Sequence, residues 1–286
     1  MIFKFMQRRK VMRRNLVFLF LVCIFSVYSN NCNRLLNPPQ ELLEEAFVTY
    51  GTENYFPLIE VLLDSVKAFS MHPIVVFGVN ADVPFSHEQY PFMIKKRIDI
   101  ADASWGSVCC VKPRVLLESG IKNAVYLDAD IILNKDCDTL FEYFKTQMHF
   151  PLSHAHPYQR PSNQKLIMAA MSVSEATTPY LHNPIIIFNE QCHSFIREWL
   201  DYNKFGCLSR APDESVYNVL LWKHHARDYI DLCVPFFTLA EDYLNGKRTD
   251  YGGDYAGKIN FSIFHGCKDA DMAGQILSRL IEKSRM

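Results

Sequence analysis

Ala124-Val125-Tyr126-Leu127-Asp128-Ala129-Asp130-Ile131-Ile132-Leu133 is the stretch from which the fold is read. It is a buried-strand pattern that ends on two carboxylates and then turns apolar again. Desolvating an unpaired carboxylate is costly, so an acid pair in such a run needs a partner, and a divalent cation serves best. In an extended segment residues i and i+2 point the same way, so Asp128 and Asp130 can face one ion. Oxygen-only ligation suits Mg²⁺ or Mn²⁺, which commonly bridge a protein acid to substrate phosphates. The run therefore predicts a phosphorylated ligand.

Outward from this run, strands and helices alternate. Ala46 to Tyr50 reads as a first strand, and Tyr55 to Ser70 as a helix with apolar positions at helical spacing. Ile74 to Val79 is a second strand, ended by Asn80-Ala81-Asp82-Val83-Pro84, and Met93 to Ile98 a third. A helix follows Pro113, from Arg114 to Glu118, with Gly120 as its stop signal. Beyond the acid pair, Asp138 is expected to cap a helix running to Lys145. This order predicts an α/β fold with a largely parallel sheet. Ligands of such sheets bind outside the carboxyl ends of the strands, where Tyr50-Gly51 and Asp128 to Asp130 both fall. Ser153 to Lys165 is polar and turn-rich, a loop. Then come a strand at Pro184 to Asn189 and helices at Cys192 to Tyr202 and Asp213 to Trp222. A strand at Lys258 to His265 and a closing helix at Asp269 to Lys283 complete the pattern. No composition break divides the body, so residues 45–286 read as one catalytic domain.

The N-terminus is different. Residues 1–15 carry Lys4, Arg8, Arg9, Lys10, Arg13 and Arg14 with no acid, and residues 16–29 are almost wholly apolar. This is the pattern of a signal anchor or a signal peptide. The positive flank would hold the N-terminus in the cytoplasm. The expectation is a single-pass type II membrane protein of the Golgi or ER lumen, or a secreted one if the segment is cleaved. Residues 30–44 would form a stem. Without those six basic residues, 24 basic side chains face 31 acidic ones, a net charge of −7. No basic stripe remains for a nucleic acid. Nine cysteines, one of them Cys23 in the apolar segment, leave an even eight. That number permits disulfides in a lumenal domain, and no Cys-x-x-Cys pair suggests zinc. Asn260-Phe261-Ser262 is a formal glycosylation sequon inside an expected strand.

Several further motifs stand around the acid pair. Lys112-Pro113-Arg114 precedes Asp128 by sixteen residues, and Cys137-Asp138-Thr139-Leu140-Phe141-Glu142 follows it. Upstream is Val48-Thr49-Tyr50-Gly51-Thr52-Glu53-Asn54-Tyr55. Downstream are His182-Asn183-Pro184-Ile185-Ile186-Ile187-Phe188-Asn189, Asp213-Glu214-Ser215-Val216-Tyr217-Asn218 and Phe264-His265-Gly266-Cys267-Lys268. In this layout the chain resembles glycosyltransferases of the GT-A fold, a Rossmann-like architecture, and particularly their glycogenin-like family-8 type. It departs from that pattern in its C-terminal motif, shortened to His-Gly-x-Lys without Pro-Trp. Glu214 stands where the family has Gln, and Pro184 follows Asn183.

The resemblance implies a nucleotide-sugar donor of the UDP type and a glycan, protein or lipid acceptor hydroxyl, with the anomeric configuration retained. By the same resemblance Asp128 and Asp130 hold Mn²⁺ (or Mg²⁺), with His265 as a third ligand. Imidazole favours manganese. Thr49, Tyr50, Gly51 and Asn54 would cradle the nucleoside, with Ala129, Asn183 and Gly266 beside the donor. Lys112, Arg114 and Lys268 would place positive charge on the pyrophosphate or sugar. Asp213 or Glu214 would be the carboxylate near the anomeric carbon; Asp213 after Pro212 is equally read as a helix N-cap. His154-x-His156 is read as part of the loop and His224-His225 as a solvated helix end. An EF-hand is excluded by Leu133 at the glycine position. A haloacid-dehalogenase-type phosphatase and a non-catalytic sugar-binding homologue are the alternative readings.

Overall fold

β1 (Leu43–Gly51), α1 (Phe56–Phe69) and β2 (Ile74–Val79) open the domain as a strand-helix-strand unit, with the two strands parallel. The computed structural model describes residues 42–285 apart from 103, 136, 146, 156–159, 230–236, 240–243 and 246–262. The basic tail, apolar segment and most of the stem, along with His156 and the Asn260 sequon, lie outside the described residues. Among those described, no helix is long and apolar enough to cross a membrane. β1 starts two residues inside the expected stem.

β3 (Met93–Ile98) joins β2, again parallel. Two short helices follow, α2 (Trp105–Cys109) and α3 (Lys112–Glu118), and Gly120 ends the second with φ 72°, the left-handed stop its sequence suggests. β4 (Ile121–Leu127) then returns to the other side of β1, parallel to it. The order β3-β2-β1-β4 therefore reverses direction between β1 and β4. Their carboxyl ends flank the crevice where such sheets bind ligands. β1 and β2 are buried on both faces and read as nearly continuous apolar runs for that reason.

The expected largely parallel sheet is present, and the second half adds one reversed strand to it. β6 (Leu152–Ala155) and β7 (Leu181–Asn189) complete the order β3-β2-β1-β4-β7-β6, and β7 runs antiparallel to β4 and to β6. Apolar periodicity records that a strand is buried and leaves its direction open, so the mixed sheet was not readable. β6 also takes residues expected in a loop, Ser153 to Ala155. Between β4 and β6 the chain makes β5 (Ile132–Leu133), which pairs with distant strands in a second sheet of order β5-β9-β8. These are β8 (Phe237–Leu239) and β9 (Ile263–His265). Cys137–Lys145 forms a 3-10 helix, and Asp138 does not cap it. Its carboxylate accepts instead from Ser70 Oγ at 2.5 Å and the Met71 amide at 3.2 Å, tying off the end of α1.

The remaining helices are α4 (Lys165–Ala170), α5 (His193–Tyr202), α6 (Pro212–Lys223) and α7 (Ala270–Ser284). α6 is buried over almost its whole length, and Asn218 is the reason it is held against β7. Its amide accepts from the Leu181 N–H (2.6 Å) and donates to the Leu181 carbonyl (2.7 Å), replacing a strand partner at the start of β7. α7 begins at Asp269, whose side chain accepts from the Met272 amide, a regular N-cap. Among the described residues, Cys109, Cys110, Cys137, Cys192, Cys207 and Cys267 form no disulfide with one another; Cys32 and Cys233 lie outside the described residues.

Candidate functional site

A cleft opens at the carboxyl ends of β1 and β4. Tyr50, Gly51, Lys112, Asp128, Ala129, Asp130, Asn183, Asp213 and Glu214, all singled out in the sequence, line it together. They come from β1, α3, the turn after β4, β7 and α6.

The acid pair is not presented by an extended strand. β4 ends at Leu127, and Asp128-Ala129-Asp130 forms a turn closed by the Ile131 amide on the Asp128 carbonyl (3.2 Å). The Asp128 amide donates to the Pro184 carbonyl of β7 at 2.8 Å, which fixes where the turn starts. On its far side, the Cys267 amide donates to the Asp130 carbonyl at 3.4 Å. β9 pairs antiparallel with β5, setting Phe264 against Ile132; the same register brings His265 level with Ile131, beside Asp130. The backbone thus lays the His265-Gly266-Cys267-Lys268 segment along the acid turn; the His265 side chain lies outside what is described. Gly266 has φ 77°, a left-handed bend that favours glycine at this point. Lys268 is exposed beyond it.

Lys112 is the hub of the cleft. It is 4% exposed, and its ammonium lies 3.1 Å from Asp128 Oδ1 and 3.0 Å from Asp213 Oδ2. It also donates to the Asn183 carbonyl (3.1 Å) and side-chain oxygen (3.2 Å), and sits 4.9 Å above the Tyr126 ring. Burial alone would lower its pKa, but the Asp128 and Asp213 charges outweigh that and hold it well above the ordinary lysine value. Lys112 is the counter-charge for Asp213, which is buried, and for Asp128, which is partly exposed. Asp213 lies in the first turn of α6 behind Ala211, the capping residue, so it does not cap the helix and spends its side chain on Lys112.

Glu214 is the group poised to exchange a proton. Burial first, and then the neighbouring Asp213 charge, push its pKa up to about 7. The Asn183 amide donates to its Oε2 at 3.2 Å, and His182 Nε2 lies 3.7 Å away. Because the folded state raises this pKa, the protonated form favours folding. That contribution is present below about pH 4.5 and is lost as pH rises through about 7. Glu214→Gln fixes the neutral state, so its melting temperature should overtake that of the parent between pH 5 and 8. The gap should approach ~3 kcal/mol. A constant difference across that range, followed by thermal unfolding, would contradict the assignment.

Tyr126 was missed in the sequence reading. Its buried hydroxyl donates to Asp128 Oδ1 at 2.5 Å, and burial, with the Asp128 charge, raises its pKa well above the usual phenol value. The i, i+2 alternation on β4 was the signal that could have found it. Tyr55 and Trp105, 40% and 61% exposed, form the outer lip. Cys109 also lines the cleft but remains a thiol, since burial pushes its pKa to about 12.

Five expected binding residues stand off the lining: Gly266 and Lys268 of the segment along the acid turn, and Thr49, Asn54 and Arg114. Thr49 is fully buried in β1, where strand alternation turns it from the face that presents Tyr50. Asn54 is exposed on the 3-10 turn Glu53–Tyr55. Arg114, one turn position past Lys112, pairs with Glu118 at 2.8 Å and the Asp99 carbonyl at 3.2 Å. Gly51 has a reason within the protein: a Cβ there would stand 2.9 Å from Tyr55 Cβ and 2.8 Å from Ile59 Cδ1. Outside the cleft, His224 bonds Glu198 at 2.6 Å, and His154 is buried in β6 against the His182 ring.

The donor set fits a hard divalent cation. Asp128 commits Oδ1 to Lys112 and Tyr126 and keeps Oδ2 without a bond among the described residues, and Asp130 stands two residues on in the same lining. No cluster of three His, Cys, Asp or Glu side chains suited to a metal occurs among the described residues. Two carboxylates suit a cation that completes its shell with substrate phosphates.

No family model matches this sequence, and no curated protein sequence does. Among solved structures the chain is similar to a galactosyltransferase, LgtC, determined in complex with donor and acceptor sugar analogues. The TM-score is 0.57 and the identity 11%, over 83% of this chain and 95% of that one. At that identity the likeness establishes the fold alone: the chain has the GT-A architecture of that structure.

Proposed function

From that shared fold we propose that the chain is a glycosyltransferase that moves a sugar from a UDP-type nucleotide donor to an acceptor hydroxyl with retention of anomeric configuration. The observation that carries the proposal is the convergence of Asp128, Asp130, Lys112, Asn183 and Asp213 in one cleft at the β1–β4 crevice. Asp128 and Asp130 would hold Mn²⁺ or Mg²⁺, with His265 from the adjoining strand as a third ligand. Held there, such an ion would supply charge neutralisation on the pyrophosphate and so help the nucleoside diphosphate to leave.

The protein's own groups divide the remaining work. Lys112 keeps Asp128 and Asp213 in place and adds positive potential at the phosphate end. The Asn183 side-chain amide is buried, its nitrogen without a hydrogen-bond partner among the described residues, on the wall of the cleft, a donor suited to a sugar hydroxyl. Asp213, paired with Lys112 at 3.0 Å, places its carboxylate where an oxocarbenium-like centre would form. Glu214, close to half-protonated at neutral pH, is suited to relay the acceptor's proton. Tyr50 and Tyr55 supply aromatic surface for the base. The six basic residues and the apolar segment at 16–29 support anchoring as a type II membrane protein with this domain in the Golgi or ER lumen.

The test is thermal. UDP-glucose and UDP-galactose with Mn²⁺ should each be screened for a raised melting point, expected at ~2–4 kcal/mol of added stability at saturating ligand. EDTA should remove the shift. If no nucleotide sugar stabilises the protein with metal present, the transferase reading fails.

A further inference from the structure

Behind the lip of the cleft lies a second cavity. Its walls are the α2 segment, with Trp105, Ser107 and Cys110, and the 203–212 segment, with Asn203, Lys204 and Arg210. α2 is the partition between the two spaces. Trp105 borders both; Cys109 faces the first and Cys110 the second. On the opposite wall, Ala211 and Asp213 belong to the first and Pro212 to the second. The second cavity thus reaches Pro212, the residue that precedes Asp213 in the chain.

The chemistry of this cavity is unlike the rest of the molecule. The body carries a net charge of −7, yet two cations and no carboxylate line this space. Arg210 is exposed and makes no hydrogen bond or ion pair among the described residues, and Lys204 rests over the Phe205 ring at 5.4 Å. Asp102 is outside the lining and accepts from the Ser104 and Ser107 hydroxyls. Trp105 is 61% exposed, whereas the other two tryptophans, Trp199 and Trp222, are fully buried. A tryptophan face left open beside polar side chains is a surface on which the C–H face of a sugar ring can pack. The Asn203 amide donates to the Cys110 carbonyl at 2.7 Å, bridging the walls, and its Oδ1 is buried without a partner among the described residues. A Cβ built on Gly106 meets no atom within 4 Å, so the cavity is open there.

We propose that this second cavity is the acceptor site, and that it takes a sugar bearing an anionic group, phosphate or carboxylate. The ring lies on Trp105, and Arg210 and Lys204 pair the anion. The inference rests on the transferase reading for the word acceptor; the binding itself is tested without turnover. Arg210 offers the planar fork that matches both anions, and Lys204 adds a point charge.

Intrinsic tryptophan fluorescence reads the site, because Trp105 is the exposed indole. Glucose 6-phosphate and glucuronate are titrated into the full chain against uncharged glucose and against inorganic phosphate. Both anionic sugars should perturb the emission and bind at least tenfold more tightly than glucose or phosphate. Raising the salt concentration should weaken them. Trp105→Phe should abolish the signal, and isothermal titration of the Lys204→Ala/Arg210→Ala variant should show at least a tenfold loss. Equal binding of glucose, phosphate binding as tight as glucose 6-phosphate, or an unchanged double variant would each overturn the proposal. The UDP-sugar thermal shift is measured on the same preparation. Failure of that shift alone removes the transferase reading, while failure of the anion preference alone removes this one.

Discussion

Asp128→Asn and Asp130→Asn should each lower sugar transfer by ~10³-fold or more, with the protein still folded. The asparagine at 128 keeps an oxygen to accept from Tyr126 and Lys112, and Lys112 keeps Asp213, so the buried network survives the change. What is lost is the negative charge that would bind a divalent ion. The measurement pairs transfer rate with the Mn²⁺-dependent thermal shift by UDP. Both should disappear while the melting point without ligand stays within ~1 kcal/mol of the parent in stability. A phosphatase of the aspartyl type would instead lose phosphate-ester hydrolysis and keep no nucleotide shift to lose. Transfer within tenfold of the parent in both variants would show that the acid turn is not the donor site.

Lys112→Met should produce the largest loss of stability in the domain. The lysine is 4% exposed and neutralises two carboxylates, one of which, Asp213, is itself 7% exposed. Removing one member of a buried ion cluster leaves the others desolvated and uncompensated, a cost of ~3–5 kcal/mol. For a domain of this size that is roughly 2–4 °C of melting temperature for each kcal/mol. The double variant Lys112→Met/Asp213→Asn should recover part of the loss, because the charge that needed Lys112 has gone with it. Lys112→Arg should rescue poorly, since four oxygens gathered about a point charge do not match a planar guanidinium. Chemical denaturation of the three variants decides the matter. A cost under ~1 kcal/mol for Lys112→Met would mean that the network is hydrated and the hub weak.

Much of this architecture could be read residue by residue, and the failures share a cause. Ile74–Val79 and Met93–Ile98 are strands with the boundaries expected, and Asp269 caps the closing helix. Local periodicity and capping chemistry determine such features. The direction of β7, the β5-β9-β8 sheet and the partners of Lys112 depend on residues far apart in the chain, and nothing local encodes them. α2 was missed because five residues are too few to show a helical period. Asp138 looked like a cap because its neighbours fit the pattern, whereas a tertiary bond to Ser70 and Met71 claimed its side chain. In the cleft, residue types were legible but orientations were not. Lys112 and Arg114 differ by two positions, and a helix turns those positions onto different faces. One enters the hub; the other faces Glu118.

The pairing of β5 with β9 sets a timetable. Ile132 and Phe264 are about 130 residues apart, so the loop that joins them is among the slowest kinds of contact to close. While the chain emerges from the ribosome, the β1–β4 half can assemble long before β9 exists. The acid turn would then wait with one flank open while the sheet behind it is already folded. Emergence of β9 becomes the event that closes the far side of that turn.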